Sequence, residues 1–367
     1  MKHTKKQLIS SVSEKILAAL SVILIAATLI PYLSFEHWIV RIFDFPRLQI
    51  LFLSIVVLGC LLYFVRKQSF LKKILLPVLL FTIAFQVYNI LPYTPLVAKS
   101  VPKSLLQDDK NAVSVMVANV YMKNHKHQKL INLVQKYKPD VLITLETNQL
   151  WQQALRPLEQ EYPYSVKIPK ENTYGMHLYS KLPLQDTEVK YWLDKDVPSV
   201  KTIIRLRNGQ DVLLYALHPK PPVPTEQENS KLRDAEIIIV ANRVAKSEQP
   251  VIVAGDFNDV AWSATTQLFQ DVSGMYDPRI GRGMFNTYNA KNPLLRWPLD
   301  HIFHSGQFQV IRIERLPSIH SDHFPIYIDL KYDKKTAQTP EKPDEETREK
   351  ETQTIEEGIE EARERDK

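Results

Sequence analysis

Apolar residues run almost unbroken over residues 16–33, 48–65 and 74–91, then break into short runs separated by polar turns, and nearly vanish after Asp333. Each of the first three runs is long enough to cross about 30 Å of hydrocarbon as a helix. They predict three transmembrane helices over residues 16–91, behind a basic N-terminus (1–15) carrying Lys2, Lys5, Lys6 and Lys15. A cleaved signal peptide is the competing reading of the first run. It is disfavoured because no small-x-small cleavage site precedes a polar mature start and two further runs follow.

Residues 92–111, with Pro92, Pro95 and Pro102, read as a tether. The pattern then changes period. Strands are predicted at 112–120, 141–145, 176–179, 189–192, 202–206, 212–217, 251–256, 299–304 and 326–330, and helices at 125–137 and 226–245. Hairpin-like strand pairs mixed with strand–helix–strand units argue against a purely parallel sheet. The expected class for 112–332 is α/β (α+β), a four-layer α-β-β-α sandwich of two mixed sheets. Residues 333–367 are charged, with few apolar side chains, and predict a disordered tail in which only 354–365 has helical character.

Composition narrows the chemistry. Cys60 is the only cysteine, so no intrachain disulfide framework or Cys-based zinc site is available, and a metal would need oxygen or imidazole ligands. The net charge of +6 is unevenly spread: Lys and Arg stand against Asp and Glu as 11 to 3 over residues 1–99, 28 to 25 over 100–332, and 8 to 13 over 333–367. Basic character thus belongs mainly to the flanks of the apolar runs and gives little support to a nucleic-acid surface. The basic N-terminus and the Arg66-Lys67 to Lys72-Lys73 loop predict a cytoplasmic side for both. The chain would then leave the third helix outside, putting everything after about residue 92 beyond a bacterial cytoplasmic membrane.

The most informative stretch is residues 251–263, where Val251-Ile252-Val253-Ala254 climbs to Gly255 and delivers Asp256 and Asn258. Side chains at i and i+2 of an extended chain share a face, so the two can meet one ligand. A strand-closing Asx turn is the plainer alternative. Asn119, Glu146, His218 and Asp300 also stand at or just beyond the ends of apolar runs, and Asp322-His323 just before another. Strand ends in a layered fold gather at one edge, so these groups predict a shared site. Carboxylates, carboxamides and two imidazoles suit a hard cation such as Mg2+ or Mn2+ beside a general base.

Together, Val117-Ala118-Asn119-Val120, Leu145-Glu146-Thr147, Gly255-Asp256-Phe257-Asn258, Leu299-Asp300-His301-Ile302 and Ser321-Asp322-His323-Phe324-Pro325 make residues 112–332 resemble the endonuclease/exonuclease/phosphatase superfamily, with its deoxyribonuclease I-like fold. The stretch Asp277-Pro278-Arg279-Ile280-Gly281-Arg282-Gly283 and the apolar runs resemble its bacterial membrane-anchored branch. The resemblance implies that Glu146 is the main metal ligand with Asn119 and Asp322 nearby, and that Asp256 orients or deprotonates water. It implies further that Asn258 and His218 meet the phosphate and that His323, oriented by Asp300, stabilises the transition state. The implied activity is metal-dependent hydrolysis of a phosphodiester or phosphomonoester. Lipid and extracellular DNA or RNA are open substrates, and a catalytically silent binding protein is the alternative. Tyr121, where many nucleases of the family have Asp or Asn, favours a one-metal site. His125, His127, His301, His304 and His320 read as structural, and Trp262 and Trp297 as core rather than pocket.

Overall fold

The computed structural model describes residues 2–33, 35–65, 69–104, 110–338 and 340–365, and the chain divides into two compact units, Met1–Val97 and Ala98–Lys367. The first contains α1 (Lys2–Leu29), the short α2 (Trp38–Arg41), α3 (Arg47–Phe64) and α4 (Phe70–Ile90). Three stretches, Glu14–Tyr32, Arg47–Phe64 and Phe70–Tyr93, are long and apolar enough to cross a membrane. Leu17, Leu24, Ile50, Val57, Leu61, Leu75 and Leu79 form the contact among the long helices. Ile23, Phe52, Phe81 and Tyr88 stay exposed on the outside, as helices solvated by lipid tails require. Inside, Gln86 Nε2 donates to Thr28 Oγ1 at 2.9 Å. Arg66 and Lys67, on which the expected orientation leans, lie outside the described residues.

The second unit holds two sheets. The first runs in the order β10 (Phe308–Arg315), β11 (Ile326–Tyr332), β1 (Ala112–Asn119), β2 (Val141–Leu145), β4 (Met176–Ser180), β3 (Tyr164–Ile168), and the second β5 (Leu184–Lys190), β6 (Ser199–Arg205), β7 (Asp211–Leu217), β8 (Val251–Asp256), β9 (Asp300–His304). Each sheet is mixed: β1/β2 and β7/β8 are parallel, joined through α5 (His127–Tyr137) and α7 (Lys231–Ala245), while their other neighbours are antiparallel.

Period-2 alternation builds the layers. Val113, Val115 and Val117 of β1 and Ile252 and Ala254 of β8 meet between the sheets. Met116 and Ala118 face outward under Leu130, Val134 and Trp151, from α5 and α6 (Gln149–Ala154). Val251 and Val253 face outward under Ile237, Val244 and Phe269, from α7 and α8 (Ala264–Ser273). This is the expected four-layer α-β-β-α sandwich. Strands β1 and β8 are covered on both faces, which is why they read as continuous apolar runs.

Three expectations need correction. The tail is not disordered: α9 (Glu345–Arg365) packs along α7, burying Gly358 against Ala235 and bringing Ile355 onto the outer core. Asn229 Nδ2 donates to Glu361 Oε2 at 3.1 Å, and Asn242 bonds Glu351. A narrow seam of Ile355, Gly358 and Ile359 at helical spacing is invisible to an average dominated by Glu and Arg. The tether is shorter than expected, because Val101 is buried in the inter-sheet core and residues 102–104 bond to β10 through Pro102 and Ser104; residues 105–109 lie outside the described ones. Strands β3 and β10 had no expected counterpart. Both lie at a sheet edge, and a register shift between Val310 and Arg312 breaks the alternation of β10.

Candidate active site

The two parallel pairs end on the same edge of the sandwich. Asn119 closes β1, Glu146 follows β2, His218 follows β7 and Asp256 closes β8. Asp300 opens β9 directly opposite Asp256, and Asp322-His323 precede β11. The Asn119 carboxamide ties the sheets together: its Nδ2 donates to Glu146 Oε1 at 2.9 Å and to Asp256 Oδ2 at 3.0 Å. Its Oδ1 accepts the Tyr121 N–H at 3.0 Å. Asn119 thus orients the two carboxylates.

Backbone geometry aims these groups. Glu146 sits at φ 59°, a left-handed conformation that non-glycine residues rarely adopt and that turns its side chain out of the β2 line. Glu146 Oε2 also accepts the Met122 N–H at 3.2 Å. Gly255 has φ 153°, and a Cβ there would collide with the Leu217 carbonyl. Only glycine lets β8 approach β7 where Asp256 and His218 emerge.

His323 lies between two carboxylates, with Nδ1 on Asp300 Oδ2 at 2.8 Å and Nε2 facing Asp256 Oδ2 at 3.5 Å. Burial alone would lower its pKa; Asp300, Asp256 and Asp322 outweigh burial and raise it to about 10. It is therefore an imidazolium at neutral pH, oriented by Asp300. His218 Nε2 stands 3.9 Å from Asp256 Oδ2. Its burial, and the nearby His323 charge, overcome Asp256 and lower it to about 4, so it is neutral. Burial raises Asp256, with the two histidines opposing. Burial also pushes Glu146 up to about 7, against its Asn119 bond and the His323 charge and helped by Asp322. A desolvated carboxylate with a second acid near it is an arrangement that an added cation relieves.

Asp256, Asp300 and His323 each offer an atom, all within 4.8 Å of one another, and form the one such metal-competent group among the described residues. However, the His323 Nδ1–Asp300 Oδ2 hydrogen bond at 2.8 Å already engages two of these residues, and an ion bound to the imidazole would have to displace its proton. Glu146, half-buried, with Asp322 close enough to raise its pKa, is the better oxygen set for a hard cation.

The extended-chain expectation for Asp256 and Asn258 does not hold. The strand ends at Asp256, and Asn258 adopts φ 51°. Asp256 Oδ1 accepts the Asn258 N–H at 2.9 Å, and Asn258 Nδ2 donates to the Pro219 carbonyl at 2.9 Å. The Asx turn is real, and it brings Asn258 alongside the His218–Pro219 segment.

Sequence reasoning missed what holds this turn. Buried Arg233 of α7 donates to the Asn258 carbonyl at 2.8 Å and pairs with Asp234 at 2.7 Å and Asp259 at 3.3 Å. His301 continues the network: its Nε2 meets the Asp259 carbonyl at 2.9 Å and its Nδ1 meets Arg279 at 2.7 Å, with Arg279 paired to Asp277 at 2.7 Å. In sequence the charged residues Arg233, Asp234 and Glu236 read as a solvated helix face, whereas all three are buried. Tyr288 was missed as well; its ring lies 5.0 Å from His323. Tyr121, at φ 57°, carries Lys291 over its ring and offers no carboxylate. Trp262 and His304 are buried and His320 is exposed, whereas Trp297 stacks on Tyr288.

Residues 116–323 match the model of the Endonuclease/Exonuclease/phosphatase family. No curated protein is significantly similar in sequence. Among solved structures, an endonuclease/exonuclease/phosphatase family protein from Bacteroides thetaiotaomicron is 17% identical, covering 63% of this chain and 98% of its own, with a TM-score of 0.49. The human Nocturnin catalytic domain with bound sulfate anion is 17% identical over 62% of this chain and 96% of its own, at 0.49. D. rerio TDP2 complexed with single strand DNA product is 16% identical over 60% and 98%, at 0.48.

Proposed function

The chain belongs to the endonuclease/exonuclease/phosphatase family of hydrolases acting on phosphodiester bonds, and from that premise we propose that it is a divalent-metal-dependent phosphodiesterase, displayed on the outer side of a bacterial cytoplasmic membrane by its three apolar helices. The observation that carries this reading is the line of polar contacts from Glu146 through Asn119, Asp256 and His323 to Asp300, spanning both sheets.

Glu146 and Asp322, with Asn119 beside them, would hold Mg2+ or Mn2+. Bound there, the ion supplies positive charge to the phosphate and favours ionisation of water. The remaining steps belong to the protein. Asp256 takes a proton from the attacking water as the water oxygen bonds to phosphorus and the bond to the leaving oxygen breaks, the departing alkoxide taking up a proton from solvent. His323 hydrogen-bonds a phosphate oxygen through Nε2 and stabilises the charge gathered there, its Nδ1 held by Asp300. Neutral His218 and the Asn258 carboxamide position the phosphate. A second reading, favoured by the convergence of Asp256, Asp300 and His323 within 4.8 Å, makes that triad the ion's seat.

The test uses the full chain in detergent with bis(p-nitrophenyl) phosphate. Turnover should require Mg2+ or Mn2+ and stop with chelator. Glu146→Gln and His323→Gln should each lower kcat by about 100-fold or more, measured at a temperature where circular dichroism shows both variants folded, since loss of the buried His323 charge also lowers stability. Unchanged turnover in both variants would show that the chemistry lies elsewhere. Absence of turnover on DNA, RNA, glycerophospholipid, sphingomyelin and phosphoinositide alike would favour a silent binding protein.

A further inference from the structure

Beside the site lies a loop whose Tyr288 ring is 5.0 Å from His323 and whose composition differs from the rest of the domain. Residues 278–299 contain Arg279, Arg282, Lys291 and Arg296 and no acidic residue. The base of the loop is fastened to the site. The Thr287 and Tyr288 N–H groups donate to the Trp297 carbonyl at 3.1 and 3.0 Å, the Ala290 N–H to the Asp322 carbonyl at 2.6 Å, and the Phe324 N–H to the Thr287 carbonyl at 2.9 Å.

The tip points away from the core. Leu294 is 79% exposed, the most of any large apolar side chain described in the Ala98–Lys367 unit, and the adjoining Leu295 is 43% exposed. Exposing such a pair to water is unfavourable, so it suggests a surface to be covered. The polar backbone of the tip is already satisfied from within. Asn289 Oδ1 accepts the Lys291 N–H at 2.7 Å, Asn292 Oδ1 the Leu294 N–H at 3.0 Å, and the Asn289 carbonyl the Asn292 N–H at 3.3 Å. The tip can therefore leave water without stranding these donors, a condition for entering a lipid interface.

Basic residues flank the leucines along the chain, Lys291 before them and Arg296 after them. Lys291 Nζ lies 4.2 Å from the Tyr121 ring centroid. Arg296 and Arg315 cover the Phe324 ring at 5.0 and 4.5 Å. Apolar residues at the centre and basic residues around them match an interface with acyl chains within and anionic headgroups at its rim.

We propose that residues 289–297 dock on an anionic bilayer surface at the mouth of the site, so that the phosphoester cleaved is one carried by a membrane lipid. The choice of substrate rests on the hydrolase reading above; the docking does not. A nucleic-acid strand would use the same cations but has no use for the exposed leucines, and the aromatic rings here are covered by cations or stacked on one another.

Because Cys60 is the only native thiol, a Cys60→Ser, Leu294→Cys chain can carry one environment-sensitive fluorophore, with Cys60→Ser, Glu248→Cys as the control. Full-length protein is placed in phosphatidylcholine nanodiscs with or without phosphatidylglycerol, some doped with spin-labelled lipid. The label at 294 should shift to the blue and be quenched by the spin label at least about twice as strongly as the one at 248, more so with phosphatidylglycerol. Leu294→Ser with Leu295→Ser should lower hydrolysis of bilayer phosphoester roughly tenfold and leave bis(p-nitrophenyl) phosphate turnover within about twofold. Equal quenching at 294 and 248 overturns the proposal, as does equal loss on both substrates. So does a spectral shift produced by single-stranded oligonucleotide but not by lipid. Quenching at 294 with no hydrolysis of either substrate would support the docking and refute the hydrolase reading.

Discussion

Gly255 is the residue on which the position of Asp256 most directly depends. At φ 153°, with the Leu217 carbonyl where a Cβ would lie, alanine forces β8 away from β7. Gly255→Ala should destabilise the domain by about 1–3 kcal/mol and also lower kcat, because the displaced strand carries Asp256 away from Asn119 and His323. A variant with the native melting temperature and activity would show that the strands accommodate the methyl. The Gly255 position is legible as a motif. Its cause is not, since the obstructing atom belongs to a residue on the neighbouring strand.

At the scale of elements, α7 does the most. It closes the parallel connection between β7 and β8, supplies Arg233 to the Asn258 turn and receives α9 on its other side. It also buries Glu236, whose Oε1 accepts the Ser199 hydroxyl at 2.6 Å. Burial raises this carboxyl from 4.5 to about 7, with Asp194 adding and the Ser199 bond opposing. A raised acid contributes stability that is full below its unfolded value, near 4.5, and is lost as pH rises through about 7. At pH 8 the ionised group should cost about 3 kcal/mol, and Glu236→Gln should restore most of it while changing little at pH 5. Melting temperatures of the two proteins from pH 5 to 8 decide this; parallel curves would rule out Glu236 as the cause. Such a residue reads in sequence as part of a solvated helix face. The tail helix misled in the same way, because which side of a charged helix is covered depends on the partner it meets.

At the scale of the whole molecule, the placement of the domain across the membrane rests on charge asymmetry in the loops. A Cys60→Ser, Glu248→Cys chain should react with an impermeant maleimide on intact cells, since Glu248 is exposed. Labelling only after lysis would reverse the orientation and move the expected substrates to the cytoplasmic leaflet.

The sequence by itself determined what contiguous residues determine. Three apolar runs of membrane-spanning length, the short continuous apolar runs of the central strands and the polar residues at their ends are all local properties, and local patterning reports them. The fold class and the set of groups at the site edge follow from these. The tertiary structure decided whatever depends on two distant faces meeting. Asn119 as a bridge between carboxylates of different sheets, Arg233 beneath the Asn258 turn, the seam that orders α9 and the leucine tip beside the cleft have no marker along the chain. Each arises when strand order and helix packing bring together residues as far apart as Asn119 and Asp256, separated by 137 positions. The protonation of His323 is decided there too, because its charge comes from carboxylates gathered by both sheets.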